Sequence, residues 1–394
     1  MSQANTRCVP GFFPDMQDYG YTPQPTKKHW LTKKRIAVLI GVLLIATVFF
    51  VFLRASNILT VSGSVGSYPD FSVEREDDRI DVLILGIRGS GDPNGGLLAD
   101  TMVLASFDKK TKRAAMVSIP RDLYVEMPDH GPEKINFAYA LGEMRSPGGG
   151  GLAMSKEVVQ YVSGVYIDHA IVLNFEGFKK VVDTLGGVTI TRDTPFVESQ
   201  QWQGERVSES PYWVFRQEAA PAVEVPAGAE GETVPTDGTT EVEVIEEPAP
   251  TPTGYWMFRV PEGTHTLNGN DALYYIRSRY SSSDFDRVRR QQEVIDALKN
   301  QALSLGVLAN PFKVFEVIDA LGKNIRTDMS LGDIREFISL AQEYQGVPVN
   351  HAVLEPADDG IIYADTSDRG AYVLLPRGGN WNEVRSFFKT LLSQ

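Results

Sequence analysis

The sequence predicts an α/β domain in which helices cover both sides of a central β-sheet. Nearly continuous apolar runs of strand length, bounded by glycine and proline, are typical of strands that are buried on both faces. Segments with helical spacing of apolar residues interleave with these runs, as a layered α/β domain requires. An uncharged apolar run near the N-terminus adds a membrane helix ahead of the domain.

Strands and helices alternate along most of the chain. Arginine, glycine or proline bounds the first three apolar runs, so each is expected to be a short buried strand. We predict strands at residues 79–86, 101–107, 113–119 and 170–175. We predict helices at residues 152–162, 178–185, 333–344 and 382–392.

Residues 36–53 form the apolar run, which at 1.5 Å per residue reaches about 27 Å and can cross a bilayer core. A cleaved signal peptide or a buried helix is the alternative, but no clear small-x-small cleavage site follows Leu53. A cluster of five basic residues, Lys27 to Arg35, precedes the run and predicts a cytoplasmic N-terminus. We therefore expect a cytoplasmic basic tail (1–35), a transmembrane helix (36–53), an extracytoplasmic tether (54–78) and one globular domain (79–394).

Charge and composition exclude several classes of protein. The net charge is −13, and residues 1–35 are themselves basic, so the rest is strongly acidic and nucleic acid is not expected as a partner. The single cysteine, Cys8, excludes an intramolecular disulfide. The five histidines lack zinc-site spacing, and neither a nucleotide phosphate loop nor a Gly-x-Ser-x-Gly elbow occurs.

Residues 217–254 interrupt the globular pattern with nine acidic residues, no lysine or arginine, and repeated proline and glycine. Such a composition cannot bury enough apolar surface to fold, so it predicts a disordered insertion. Two roles remain open for it: spacing, or repulsion of an anionic polymer.

Residues 272–295 contain five arginines. Arg277 and Arg279 face the same way if the backbone is extended, whereas Arg287 and Gln291 recur at helical spacing. Because a guanidinium pairs bidentately with phosphate oxygens, their convergence would suit a diphosphate. The alternative is a solvated helix face paired with Asp284 and Asp286.

Two further groups lie at predicted strand ends, where ligands of α/β sheets commonly bind. Arg121 and Asp122 follow one strand, and Asp100 precedes another. In such a site Asp100 would hold a divalent metal, and the arginines would stabilise charge on the leaving group. Asp122 could act as the general base or could orient Arg121 through an ion pair.

Together these segments resemble the LytR-CpsA-Psr family over residues 79–300. The matching stretches are Val-Leu-Ile-Leu-Gly (82–86), Ala-Asp-Thr-Met (99–102), Ser-Ile-Pro-Arg-Asp (118–122), Lys-Ile-Asn-Phe-Ala-Tyr (134–139), Val-Asp-Thr-Leu-Gly-Gly-Val (182–188), Leu-Asn-Gly (267–269) and the arginine-rich stretch 277–292. The resemblance implies a mixed sheet between layers of helices, with an apolar tunnel for a prenyl chain. It also implies a magnesium-dependent phosphotransferase that moves a glycopolymer from a polyprenyl-pyrophosphate carrier to peptidoglycan.

The resemblance also implies roles for individual residues. Asp100 matches a metal-binding aspartate, and Asp284 matches an acid that supports the arginines. The catalytic candidates are Arg121, Asp122 and Arg279. The pyrophosphate-binding candidates are Arg88, Arg121, Arg277, Arg279, Arg287 and Gln291.

Two departures from the family pattern lie in one loop. Where many relatives have Gly-Ile-Asp this chain has Gly86-Ile-Arg88, and where they have Arg-Ser-Asp it has Leu98-Ala-Asp100. One acidic metal ligand and one phosphate-binding arginine are thus missing from their usual places. We hypothesise that Asp92 replaces the first and Arg88 the second.

Two functions fit these observations. The first is the phosphotransferase; the second is a non-catalytic envelope scaffold that binds polyprenyl-pyrophosphate glycans. Transcriptional regulation is disfavoured because the short, Pro-containing N-terminal tail cannot form a helix-turn-helix. The sequence does not distinguish teichoic acid, capsule or another glycan as the polymer.

Overall fold

A mixed six-stranded sheet lies at the centre of the computed structural model, and its strands are in the spatial order 325–327, 169–174, 79–87, 99–108, 113–118 and 349–353. The structure describes residues 65–92, 96–199, 210–217, 254–279, 281–304, 306 and 311–393. The strands are β1 (Arg79–Ile87), β2 (Ala99–Asp108), β3 (Arg113–Ser118), β4 (Tyr124–Met127), β5 (Gly131–Lys134), β6 (His169–Asn174), β7 (Val188–Arg192), β8 (Phe196–Glu198), β9 (Trp213–Gln217), β10 (Gly254–Val260), β11 (Gly263–Leu267), β12 (Ile325–Thr327), β13 (Val349–Val353), β14 (Ile362–Thr366) and β15 (Tyr372–Pro376). The helices are α1 (Ala138–Arg145), α2 (Gly150–Ser163), α3 (Phe175–Thr184), α4 (Gly269–Arg277), α5 (Asp284–Ser304), α6 (Pro311–Leu321), α7 (Leu331–Glu343) and α8 (Asn382–Ser393).

Both parallel and antiparallel pairs occur in this sheet. The β1 strand pairs antiparallel with β2 and parallel with β6. The β3 strand pairs antiparallel with β2 and parallel with β13, and β12 pairs antiparallel with β6. The central strands are therefore hydrogen-bonded on both sides, and loops from their ends carry the candidate site.

Apolar side chains of β1 alternate between the two faces of the sheet, as the pleat of a strand requires. Leu83 and Leu85 belong to a core with α1, α2 and α8, whereas Ile80 and Val82 pack with Ile334 of α7. Helices thus cover both faces. This confirms the predicted layered α/β fold with a mixed sheet, which the resemblance implied.

A smaller core joins α4 and the middle of α5 to β7, β8, β9, β10 and β11. Phe258 and Tyr275 are fully buried at its centre. This cluster fixes α4 and α5, the two helices that carry the arginine-rich segment.

The predicted strands and helices in the described part of the chain are found within a few residues of their expected bounds. Asp100 is an exception, because it lies within β2 instead of preceding it. Arg277 is a second exception: it is the last residue of α4, so the expected extended backbone begins only at Ser278, whose φ is −60° and ψ 133°.

The predicted transmembrane helix (36–53) and almost the whole predicted insertion (217–254) lie outside the described residues. Gln217 and Gly254, at its two ends, are paired across β9 and β10. Among the helices that the structure describes, none is long and apolar enough to span a membrane.

Candidate functional site

Asp100 is placed by a β-bulge between β1 and β2. Gly86 pairs with Thr101 and Ile87 pairs with Ala99, so Asp100 has no pairing partner on β1. An extra residue of this kind re-aims its side chain, and bulges are frequent beside active sites. The carboxylate of Asp100 consequently meets groups from two neighbouring loops.

Arg121 is one of these groups and follows directly after β3. Its Nη1 donates to Oδ1 of Asp100 at 2.7 Å, and its Nε lies 3.5 Å from Oδ2 of Asp122. Lys134, at the end of β5, donates from Nζ to Oδ1 of Asp122 at 2.6 Å. Asp122 is therefore held between two cations, an arrangement that suits orientation of Arg121 better than proton abstraction.

Arg88 reaches Asp100 from the other side. Its Nε lies 3.4 Å from Oδ2 of Asp100, and its Nη1 lies 3.8 Å from Oδ2 of Asp92. A tight turn holds Asp92 there, because the Asp92 amide donates to the Gly89 carbonyl at 3.0 Å and the Gly96 amide donates to the Asp92 carbonyl at 3.1 Å. A side chain at Gly96 would collide with the Gly89 carbonyl oxygen, so this turn requires glycine.

A cavity of about 260 Å³ opens on one side of the Asp100–Arg121 pair. Arg287 and Gln291, one helical turn apart on α5, contribute to its wall, and both are more than nine-tenths buried. The rest of the wall is largely apolar. Its apolar residues are Met102, Ile119, Pro120, Phe285, Val288, Val353 and Leu374.

A second cavity, of about 450 Å³, is also lined by this pair. Its wall is more polar and includes both positively and negatively charged side chains. The charged and hydrogen-bonding residues are Arg88, Asp100, Arg121, Asp122, Tyr124, Glu133, Lys134, Asn136, Ser367 and Arg369. Asp100, Arg121 and Asp122 thus form a charged partition that both cavities share.

The remaining predicted residues lie on α4, in the loop after it, and at the start of α5. The guanidinium carbon of Arg277 lies 4.4 Å from the ring centroid of Phe175, whose amide donates to the Arg88 carbonyl at 3.4 Å. Arg279 is half-buried in the loop after α4, and Asp284 is the first residue of α5. Among the described side chains, those that line the two cavities do not include Arg277 or Arg279.

Sequence reasoning missed two residues that position this site. Arg290 is buried on α5 and donates to the backbone carbonyls of Tyr275 and Ser278 and to the Ser282 hydroxyl. Burial lowers the pKa of its guanidinium from the ordinary value. Gln292 donates to the Ser118 hydroxyl at 2.9 Å and to the Ala352 carbonyl at 3.0 Å, which ties α5 to the ends of β3 and β13.

The arrangement of donors does not fit a metal ion as it stands. Both oxygens of Asp100 face guanidinium groups, and Asp92 faces the same Arg88. Within the described residues there is no group of three His, Cys, Asp or Glu side chains that could hold a metal. Magnesium binding stays a prediction from the resemblance.

These features define a mixed α/β domain with a cluster of paired cations and carboxylates at the strand ends. The LytR_cpsA_psr family model matches residues 53–369, and the chain belongs to that family.

Named relatives support this assignment. The chain is 29% identical over 303 residues to the polyisoprenyl-teichoic acid–peptidoglycan teichoic acid transferase TagU of Oceanobacillus iheyensis, covering 75% of this chain and 73% of the relative. It is 27% identical over 292 residues to the TagT transferase of Bacillus subtilis, covering 73% and 71%.

Solved structures show the same fold. TagT bound to LIIa-WTA aligns with a TM-score of 0.53 at 23% identity, over 86% of this chain and all of that one. TagV of B. subtilis aligns with a TM-score of 0.52 at 20% identity, over 81% of this chain and 98% of that one.

Proposed function

We propose that this chain transfers a glycopolymer from a polyprenyl-pyrophosphate carrier to peptidoglycan and joins the two through a phosphodiester. One observation carries the proposal: Arg121, Arg287 and Gln291 converge with Asp100 on a single cavity with apolar walls. Guanidinium groups beside an apolar wall suit a ligand that joins a diphosphate to a lipid. The names of the relatives, which are transferases of teichoic acid to peptidoglycan, support the same substrate class.

The transfer is a displacement at the sugar-side phosphorus. An acceptor hydroxyl oxygen forms a new bond to that phosphorus, and the bond from phosphorus to the bridging oxygen of the diphosphate breaks. The bridging oxygen leaves with the polyprenyl phosphate, and the hydroxyl proton passes to a base or to water. Negative charge grows on the leaving phosphate, and positioned cations act most strongly at that stage.

Arg121 is the residue best placed to stabilise that charge. Its position beside Asp100 and Asp122 holds the guanidinium in one orientation, which avoids reorganisation during the reaction. Arg287 and Gln291 approach the same cavity from α5 and would hold the diphosphate from the opposite side. Asp122 acts on Arg121 as an orienting residue in this scheme.

In this proposal, each of the two cavities holds a different part of the substrates. The apolar walls around Met102 and Leu374 suit the first isoprene units of the carrier. The polar cavity around Lys134, Arg369 and Asn136 suits the sugar and the acceptor. The charged partition would then lie at the reacting phosphorus.

The location that we propose follows from the sequence. A single membrane span at residues 36–53 would place the N-terminus in the cytoplasm and residues 79–394 outside it, beside the lipid carrier and the wall. The polymer is a teichoic acid, a capsular polysaccharide or another secondary glycan.

The test is release of polyprenyl phosphate from a short-chain pyrophosphate-linked glycan by the full chain in detergent, with peptidoglycan fragments as acceptor. Arg121→Ala should lower release by about 10²- to 10³-fold, as removal of one charge-stabilising donor does in other enzymes. Arg335→Ala on the exposed side of α7 is the matched control and should release as fast as the wild type.

The scaffold function makes the opposite prediction. If the wild type binds the carrier tightly yet releases nothing with acceptor present, the transferase proposal is wrong and a binding role replaces it. The departures at Arg88 and Leu98 would then be its cause.

A further inference from the structure

Arg88 occupies the place beside Asp100 where a bound cation would be expected. Its guanidinium lies between Asp100 and Asp92, at 3.4 Å and 3.8 Å. All three side chains are about one-quarter exposed, so the group is partly shielded from water. A positive charge that is covalently part of the chain thus bridges the two acids assigned to the metal.

The balance of charges around Arg88 is the second reason to expect no divalent ion at this site. The cluster contains three cations (Arg88, Arg121 and Lys134) and three carboxylates (Asp92, Asp100 and Asp122), and each carboxylate lies against at least one of the cations. A divalent ion would have to displace Arg88 from both Asp92 and Asp100. It would also meet repulsion from the two nearby guanidinium groups.

The third reason is that a guanidinium group can do the same chemical task as a magnesium ion at a diphosphate. A magnesium ion at a diphosphate neutralises charge that develops on its oxygens, and a guanidinium pairs with those same oxygens in bidentate geometry. An arginine stays charged at every physiological pH and is not removed by a chelator. Arg88 and Arg121 both contact Asp100 and both line the polar cavity, so a diphosphate held at Arg121 would lie close to Arg88.

We propose that Arg88 performs the electrostatic role that the resemblance assigns to magnesium, so that this chain transfers its glycan without a divalent metal ion. This inference rests on the proposed transferase function. It makes Arg88 a catalytic residue and changes Asp92 and Asp100 from metal ligands into its partners.

The experiment uses the full chain in detergent and compares wild type, Arg88→Ala, Arg88→Asp and the charge-reversal control Arg335→Asp. Carrier-phosphate release is measured after exhaustive chelation and again with excess magnesium. Manganese binding, followed by electron paramagnetic resonance, reports on the site independently of activity. Thermal unfolding verifies that each variant is folded.

We expect wild-type release to be unchanged by chelation and no stoichiometric manganese binding to wild type or to Arg335→Asp. Arg88→Ala should lower release by about 10²- to 10³-fold in chelator. Arg88→Asp adds a carboxylate beside Asp92 and Asp100, and should bind one manganese ion and depend on added metal for any release that remains.

The inference is overturned if wild type binds one manganese ion that Asp100→Ala abolishes, or if chelation stops release and magnesium restores it. If magnesium restores release after chelation, the protein is still a transferase, and only the proposed role of Arg88 is wrong. If release is absent with and without metal, the transferase function falls, and the manganese titration alone decides whether Arg88 excludes the ion.

Discussion

Replacement of Arg290 by methionine should destabilise the protein strongly and disorder the loop that carries Arg279. Arg290 is 6% exposed, and its three nitrogens donate to two backbone carbonyls and one hydroxyl around residues 275–282. Its guanidinium carbon also lies 4.7 Å from the ring centroid of Phe196. Methionine fills much of the volume but leaves the buried carbonyl oxygens of Tyr275 and Ser278 without a donor.

The magnitude follows from these contacts. A hydrogen bond to a charged group contributes about 1.5–3 kcal/mol, and removal of one member of a buried charged network typically costs about 3–5 kcal/mol. We therefore expect Arg290→Met to lower the free energy of unfolding by about 3–5 kcal/mol. Arg290→Lys should recover only part of this loss, because one ammonium group cannot reproduce the planar fork.

Denaturant unfolding and carrier-phosphate release, measured on the same preparations, are the assays. The neighbouring Arg289 supplies a matched control, since its side chain is 56% exposed and pairs at the surface with Asp286 and Glu355. Arg289→Met should change stability by less than about 1 kcal/mol. If Arg290→Met costs no more than Arg289→Met, or if Arg290→Lys behaves as wild type, the buried fork does not hold the loop and the reasoning is refuted.

Two further predictions concern the sheet. Burial raises the pKa of Asp81 from 3.8 to about 6 against the opposing effect of Arg79, so the folded state keeps the proton that the unfolded state loses between pH ~4 and ~6. The contribution of Asp81 to stability should then fall by about 3 kcal/mol as pH rises through that window. Asp81→Asn should remove this fall, and unfolding curves that show the same pH slope in both proteins would contradict it. Gln292→Met should cost about 1–3 kcal/mol in denaturant unfolding, because the Ser118 hydroxyl and the Ala352 carbonyl lose their donor; an unchanged midpoint would show that this tie is dispensable.

The strands could be predicted because their signal is local. Leu83 and Leu85 face one core and Ile80 and Val82 the other, so β1 had to be apolar nearly throughout. Turns after the strands are marked by glycine and proline. The proximity of Asp100 and Arg121 was also expected, since both adjoin strand ends.

The arrangement of the arginines depends on contacts that no local pattern contains. Residues 272–277 continue a helix that begins at Gly269, because Asn268 accepts the Asp271 amide as an N-cap and buried Tyr275 holds α4 to the smaller core. The sequence spacing of Arg277 and Arg279 therefore did not indicate their directions. The role of Arg290 was not predicted because its partners include a backbone carbonyl of another helix, and such a contact has no sequence signature.

The two departures from the family pattern, at positions 88 and 98, are close together at the end of the β1–β2 pair. We therefore describe them as one exchange, in which the arginine stands at position 88 instead of position 98. The β1–β2 register ends with the pair Ile87 and Ala99, and positions 88 and 98 are the next residues beyond the ends of these two strands. We infer that an arginine at either position can bring its guanidinium close to Asp100, as Arg88 does here. After this exchange, the site lacks the acidic residue that the resemblance would place at position 88.

The charge at these two positions is +1 for Arg88 and Leu98 here, instead of zero for the aspartate and arginine that the resemblance would place there. A site that has become more positive through its own side chains needs less positive charge from a bound ion to neutralise the same diphosphate. It also repels that ion more strongly. Loss of the acid and retention of the guanidinium therefore act in the same direction. Arg88→Asp alone should bind manganese more tightly than Arg88→Asp combined with Leu98→Arg, because the second change adds a positive charge beside the ion. Equal manganese affinity in the single and double variants would show that the two positions do not act as a pair.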